Sequence, residues 1–335
     1  MKRILLFISC LVPLAACTVT GHADEQKIMR IANTTPEDRS LSQALYQFAE
    51  RLEEETNDSI QVEVYTNGQI GGDRELFEGM QFNTIQGATM STGPIAQFVP
   101  TFNVLELPFL FENEENAYQL LDGPIGQDLL EELEPQKVIG INYFENGFRV
   151  LTNNEKEIEK LEDVQGLDLR TLENRWHMQI WSELGANPTP MNYGEVYIGL
   201  EQGTIAGQEN PIGNVVNSHF YEVQQYLTMT NHIYNASPFM VSEAFWETLT
   251  EDERQAVEKV ADEVQHNQRL ANQQEAEASR SYLEERGITI SELTSEERQR
   301  WITATNPVRE RFENIEGNHD WMQRIQEHIQ ATNQE

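Results

Sequence analysis

The chain has 335 residues, 39% of them apolar and 9% aromatic, enough for two ordinary domains with buried cores and too apolar for wholesale disorder. Its 23 basic and 56 acidic residues leave a formal net charge of −33, which argues against a nucleic-acid binder or a protein of anionic membrane surfaces, since both reward clustered cations. No apolar run reaches the roughly 18 residues of a spanning helix, which argues against a channel or an integral transporter.

The chain begins with a leader rather than with the fold. Lys2 and Arg3 precede an apolar run from Ile4 to Ala16, too short to span a bilayer and suited to a secretory signal. The run ends Leu14-Ala15-Ala16-Cys17, which resembles a bacterial lipobox and implies removal of residues 1–16 and lipidation of Cys17. Ordinary cleavage near Ala23 is the plainer alternative. Both readings place the mature chain outside the cytoplasm, either lipid-anchored to the outer face of the cell membrane or periplasmic. Cys10 is the only other cysteine, so no disulfide and no cysteine-ligated metal is expected.

A β-α-β-α-β rhythm follows: a strand at 28–32, a helix at 40–55 with Leu41, Ala44, Leu45, Phe48 and Leu52 on one face, a strand at 59–65, a helix at 74–82 and a short strand at 86–91. Such alternation predicts a mostly parallel sheet covered by helices. Helices at 113–121 and 124–133 and a strand at 138–143 complete this unit. A second unit opens with a strand edge at 150–152, a strand at 167–170 and a helix at 176–184. A helix at 195–201 stops at Gly203, and 224–230 leads into a further strand. Thr250-x-x-Glu253 is a capping box for a helix running to about Arg286, where Gly287 suits the left-handed C′ position. At 1.5 Å per residue this helix is about 55 Å long, more than one small domain is wide. Thr294-x-x-Glu297 starts a last helical region.

Catalytic signatures are missing: there is no G-x-G-x-x-G, Walker loop, H-E-x-x-H or G-x-S-x-G, and no histidine pair has helical metal-ligand spacing. Neither an enzyme activity nor a cofactor is expected. The distribution of cations is more informative. Between Glu75 and Glu253 the arginines are Arg149, Arg170 and Arg175, and the lysines Lys137, Lys156 and Lys160. Arg149 and Arg170 both sit at edges of apolar strand-like segments. A partly buried guanidinium needs an anion; the partner is either an internal carboxylate or an anionic ligand, for which arginine offers a two-pronged grip. Gly207-Gln208-Glu209-Asn210-Pro211 reads as a polar turn, with Asn210 biased to an extended conformation by the following proline.

Several segments in order resemble one family. They are Gln69-Ile70-Gly71-Gly72-Asp73-Arg74, Leu107-Pro108-Phe109-Leu110-Phe111, Asn146-Gly147-Phe148-Arg149, Gly166-Leu167-Asp168-Leu169-Arg170, Gly185-Ala186-Asn187-Pro188-Thr189-Pro190-Met191, Glu195-Val196-Tyr197, Gly207-Gln208-Glu209-Asn210-Pro211, Phe220-Tyr221-Glu222-Val223-Gln224 and Thr230-Asn231-His232. Together they resemble the solute-binding (DctP-like) subunit of a tripartite ATP-independent periplasmic (TRAP) transporter over essentially the whole mature chain. Ala206 departs from the pattern, which usually has Asp before Gly-Gln. The resemblance implies an α/β, two-lobed periplasmic-binding-protein-like fold, with a ligand cleft between the lobes and the long helix spanning both. Lobe I would comprise 25–146 plus 236–275, and lobe II 147–235 plus 276–335.

By the same resemblance the ligand is an organic anion. Arg170 is the main carboxylate clamp, Arg149 the second cation, Asn210 a hydrogen-bonding partner at that end, and Tyr193 an aromatic wall. Asn33, Asp73 and Ser91 face the cleft from the other lobe. Glu173 and Asn174 are within reach of ligand hydroxyls, and His232 lies near the site or in the core. With cations on one lobe and Asp73 on the other, a sugar acid such as a uronate or aldonate fits better than a C4 dicarboxylate, whose second carboxylate Asp73 would repel. The implied partners are integral-membrane permease subunits. A lyase for acidic sugars and a receptor passing occupancy to a sensor are the alternatives.

Overall fold

The computed structural model describes residues 26–332; the leader and Cys17 lie outside them. The first lobe is built from β1 (Lys27–Ala32), α1 (Ser40–Glu55), β2 (Ile60–Tyr65), α2 (Asp73–Gln81), β3 (Gly87–Thr89) and the short α3 (Thr92–Ile95). A 3-10 segment, Pro100–Glu106, then leads to α4 (Glu114–Leu121), α5 (Pro124–Glu131) and the long strand β4 (Val138–Asn153). The second lobe adds β5 (Asp168–Thr171), α6 (Arg175–Glu183), β6 (Asn187–Pro190), α7 (Val196–Glu201), β7 (Gly207–Pro211), α8 (Ile212–Asn217) and β8 (Tyr226–Met229). The chain returns through β9 (Tyr234–Ser242) and α9 (Glu243–Trp246) to α10 (Glu251–Glu285), then β10 (Thr289–Glu292), α11 (Ser295–Glu313) and α12 (Asn318–Thr332).

Strand order is β2-β1-β3-β9-β4-β7-β5-β6, with β8 pairing β4 and β10. β1 pairs β2 and β3 in parallel, and β7, β5 and β6 form a second parallel set. Between the sets run β9 and β4, antiparallel to each other. The sequence predicts two separate segments at 138–143 and 150–152. They are instead one 16-residue strand: residues 138–148 pair β9 in the first lobe, and Arg149–Asn153 pair β7 in the second. A register shift between Glu145 and Gly147, with Gly147 at φ +109°, bends the strand where it passes from one lobe to the other.

The polar run Gly207–Pro211, read from the sequence as a turn, is fully buried strand β7, seated between β4 and β5. Its polar side chains are tolerated there because hydrogen bonds and ion pairs satisfy them inside the protein.

Helix α10 has the expected capping box, with Thr250 and Glu253 each bonding the other's backbone, and ends before Gly287 at φ +84°. Its N-terminal half packs Val257, Val260 and Val264 with Leu41, Leu45 and Phe48 of α1. Farther along it lies against α8 of the second lobe, so one rigid rod serves both lobes. Helix α11 packs on α6, where Phe312 meets Trp176 edge-on with centroids 5.3 Å apart. Helix α12 returns to α4 and the 3-10 segment. No helix among the described residues is long and apolar enough to cross a membrane.

Candidate functional site

Pairing of β4 with β7 sets Leu151 opposite Glu209 and Val150 opposite Asn210, which brings the Arg149 guanidinium onto the Glu209 carboxylate. Both side chains are fully buried. Arg149 Nε donates to Glu209 Oε2, and Nη2 donates to Oε1 at 2.9 Å. The same nitrogen reaches Asn210 Oδ1 at 3.3 Å, and Nη1 reaches Asn235 Oδ1 at 3.1 Å. Glu209 also meets two buried histidines: His232 Nε2 at 3.1 Å and His177 Nδ1 at 3.7 Å. Burial resists its charge, yet Arg149 and the histidines hold its carboxyl well below the usual range. The histidines differ. Burial pushes His232 below its ordinary value despite Glu209. Burial also resists charge on His177, but Glu106, 2.5 Å from Nε2, and Glu209 outweigh it and raise the value.

Arg170, on the neighbouring strand β5, is arranged differently. It is 1% exposed. Nε and Nη2 both donate to the Met191 carbonyl oxygen, at 3.0 and 2.6 Å, and Nη1 has no hydrogen-bond partner among the described residues. Among the described residues no carboxylate forms an ion pair with it. Burial pulls its pKa down to about 10, with Glu209 opposing and Arg149 adding to the effect, so it remains a cation at neutral pH. Of the two strand-edge arginines, one is matched by an internal acid and the other is not.

The other candidate residues divide. Asn210 joins the Arg149 cluster, its Oδ1 also accepting from Asn214 Nδ2 at 3.2 Å. His232 is held by Thr230 and Glu209. Ser91 joins through Asn235, whose Oδ1 accepts from Ser91 Oγ at 2.9 Å, Asn146 Nδ2 at 3.0 Å and Arg149 Nη1. Asp73, the first residue of α2, lies within electrostatic reach of Arg170. Burial pushes its pKa up to about 6, against the Thr34 hydrogen bond and the Arg170 charge. Tyr193 bonds Ser218 and lines a cleft of about 520 Å³ between Thr34, Asn67 and Gly72 of the first lobe and Asn192 and Phe220 of the second. Asn33 stands apart, with its amide exchanging hydrogen bonds with Ser42.

Glu173 is exposed at its side chain, while its carbonyl accepts from Gln97 Nε2 at 2.7 Å. Asn174 caps α6 through Oδ1, and its Nδ2 donates to Gly93 O and Asn103 Oδ1 at 3.1 and 2.9 Å. The Asn174 amide is therefore taken up in joining the lobes. Asn192 adds a further crossing: a Cβ on Gly72 would come within 2.5 Å of its Nδ2. These contacts describe lobes that are closed on each other.

Sequence reasoning missed Glu209, His177, Glu106 and Asn235. Glu209 was visible inside a quoted motif; the other three lie outside any pattern and gain meaning only from contacts across the chain. Among the described residues no group of three or more His, Cys, Asp or Glu side chains is arranged to hold a metal ion.

Comparison with known proteins agrees with this architecture. Residues 31–315 match the DctP family, described as bacterial extracellular solute-binding protein, family 7. The sugar acid binding protein of Advenella mimigardefordensis, solved in complex with galactonate, is 34% identical, with a TM-score of 0.89, covering 92% of this chain and 99% of that one. A TRAP periplasmic solute-binding protein of a Polaromonas species, bound to D-erythronate, is 32% identical, with a TM-score of 0.86 and 90% and 98% coverage. The C4-dicarboxylate-binding protein DctB of Bacillus subtilis is 29% identical over 88% of this chain and 84% of its own length. The chain belongs to the DctP family of TRAP solute-binding proteins.

The Glu209 cluster makes a direct prediction about stability. Replacing Glu209 with Gln leaves Arg149 buried without a counter-charge, a loss of about 3–5 kcal/mol that urea unfolding at pH 7 reads out. The sign with pH follows from the depressed carboxyl. Its contribution is complete above the ordinary carboxylate value and is lost as pH falls toward the depressed one. The gap between wild type and Glu209→Gln therefore narrows in acid; a constant gap contradicts the ion-pair account.

Proposed function

We propose that this TRAP solute-binding protein captures a carboxylate-bearing solute, a sugar acid of the aldonate or uronate kind, and delivers it to membrane permease subunits. The observation that carries the reading is Arg170, a buried guanidinium that among the described residues has no carboxylate partner and an unbonded Nη1. Of its five N–H donors, Met191 takes two. That fixes the plane of the group and leaves the Nη1/Nη2 edge, which presents two parallel N–H bonds to a carboxylate. A buried cation without a partner is costly, so an arriving anion regains stabilisation that the empty protein forgoes. Arg149 lends positive charge nearby, but most of it is matched by Glu209.

Asp73 supports the choice of a sugar acid over a dicarboxylate. Above pH 6 it is largely ionised, so it repels a second carboxylate and accepts hydrogen bonds from hydroxyls. The galactonate and D-erythronate held by two relatives are of this chemical type, whereas the name of DctB favours the dicarboxylate reading. Capture is binding and release, with no bond made or broken in the solute. The closed lobes are the form presented to the permease, and the ligand shifts the open–closed balance by its preference for the closed state. Lipid attachment at Cys17 belongs to the same reading and keeps the protein near its permease.

A thermal-shift panel tests the ligand class. Galactonate, erythronate or glucuronate should raise the melting temperature, by an amount equivalent to about 2.7 kcal/mol at 100 times the dissociation constant, while galactose has no effect. Equal stabilisation by galactose defeats the anion reading, and succinate outperforming every sugar acid selects the dicarboxylate. Arg170→Lys keeps the charge but loses the fork. It should weaken binding by about 1.5–3 kcal/mol in calorimetric titration while the ligand-free variant melts near wild type. Reduced apo stability with normal binding assigns Arg170 a structural role instead. Intact-mass analysis of protein from native cells should find a lipid on Cys17; an unmodified N-terminus near Asp24 removes the anchor.

A further inference from the structure

His177 takes no part in the clamp as described, yet it is fully buried and faces two carboxylates from two different parts of the chain. Its Nε2 lies 2.5 Å from Glu106 Oε2, at the end of the Pro100–Glu106 segment that follows the first-lobe helix α3. Its Nδ1 is 3.7 Å from Glu209 Oε1 on β7. Behind Glu209 stand Arg149 of β4 and His232, which precedes β9. On the far side of α6, helix α11 presents Phe312 to Trp176 and directs its charged Arg311 to Gln179 and Glu183, away from His177.

We infer that His177 is a positioning residue for the anion clamp: bonded to Glu106 through Nε2, and with an unbonded Nδ1 3.7 Å from Glu209, it sets the charge beside the Glu209–Arg149 pair and couples anion capture to uptake of a proton. The inference rests on the anion-capture reading above. The charges around the clamp make the argument. Arg149 is matched by Glu209, Arg170 has no carboxylate partner among the described residues, and Glu106 meets His177, so the two cations and two carboxylates of the cluster sum to zero without Arg170 being paired. With a neutral His177, a solute carboxylate entering this buried cluster leaves it one negative charge in excess, and Asp73 across the cleft adds to the excess. An imidazolium at 177 restores the balance where solvent cannot. Glu106 and Glu209 already hold this ring above its ordinary 6.5, and the solute's charge raises it further. A group whose pKa is higher in the bound state favours binding fully below its free-state value, and that advantage is lost as pH rises through the bound-state value. The loss therefore falls above pH 6.5, with a slope of at most about tenfold per pH unit for one proton.

The test is calorimetric titration with galactonate, erythronate and glucuronate between pH 6 and 10, in buffers of different ionisation enthalpy. Wild type, His177→Gln and Glu106→Gln are compared, alongside a histidine-ring NMR titration of ligand-free wild type. Wild type should take up a proton on binding and lose affinity across the upper part of the range. His177→Gln should bind about tenfold more weakly at pH 6.5, with a flat profile. Glu106→Gln, which keeps the ring but removes one carboxylate, should move the midpoint to lower pH, a shift that a merely structural role would not produce. If His177→Gln fails to fold, Glu106→Gln and the NMR titration still decide. Binding of a sugar acid without proton uptake, an unchanged midpoint in Glu106→Gln, or a His177 titrating at or below 6.5 overturns the inference and leaves the capture reading intact. If none of the three acids binds wild type, the capture reading fails and this inference fails with it.

Discussion

One buried carboxylate, Glu209, organises this protein. A charge at zero exposure is tolerable only with partners of opposite sign at hydrogen-bond distance. Glu209 has Arg149 from β4 as its counter-charge and His232 from the segment before β9 at hydrogen-bond distance, with His177 from α6 3.7 Å away. Three elements distant in sequence are thereby fixed against the middle of the second-lobe sheet. The pairing of β4 with β7 is part of the same requirement, since it brings the two members of the ion pair onto adjoining strands. Arg170, one strand farther along, draws on the same charge: Glu209 is the largest electrostatic support for keeping it protonated.

The two arginines illustrate how placement divides one residue type into two tasks. Arg149 has its guanidinium occupied by Glu209, Asn210 and Asn235, so it contributes rigidity and residual positive potential. Arg170 is pinned at one edge by a single backbone carbonyl, while Nη1 at the other is buried with no hydrogen-bond partner among the described residues. A carbonyl orients a guanidinium without neutralising it, so Arg170 keeps an unmatched charge where Arg149 does not. The same division extends across the cleft: Asn174 is used up in joining the lobes, while Asp73, bonded through Oδ1 to Thr34, is close enough to Arg170 for that charge to lower its pKa.

The local grammar of the chain was legible wherever one period governs several residues. The apolar face of α1, the capping box of α10 and the glycine after it all occupy the expected positions, because helix propensity, capping and packing agree there. Legibility failed at β7 and in β4. Gly207–Pro211 carries polar side chains and a proline, so its pattern signals a turn. It is a strand because Arg149, 60 residues away, supplies the counter-charge for Glu209, and no local window contains that fact. The middle of β4 is masked by Asn146-Gly147, which look like a break but serve as a bend within a continuous strand. At the site, the sequence singled out both arginines but left their partners undecided, since 56 acids offer too many candidates. His177 and Asn235 carried no signal, because a buried polar residue is recognised by what it touches rather than by its neighbours in the chain.

The overall charge sets a further condition on how such a site works. A protein at −33 repels an anion at long range, and salt at physiological strength confines that repulsion to about 8–10 Å from the surface. Attraction must therefore come from groups the solute meets only after entering the cleft, where burial lowers the dielectric and makes each contact stronger than in water. Arg170, at 1% exposure and backed by Arg149, satisfies this condition; a surface arginine among so many carboxylates would be neutralised before a solute arrived. The scarcity of cations through the middle of the chain and the burial of Arg149 and Arg170 are consistent with that condition. In the proposed reading, an anion must bring its carboxylate onto the unbonded edge of Arg170 to gain a counter-charge, so selection rests on geometry inside the cleft and not on the field of the whole protein.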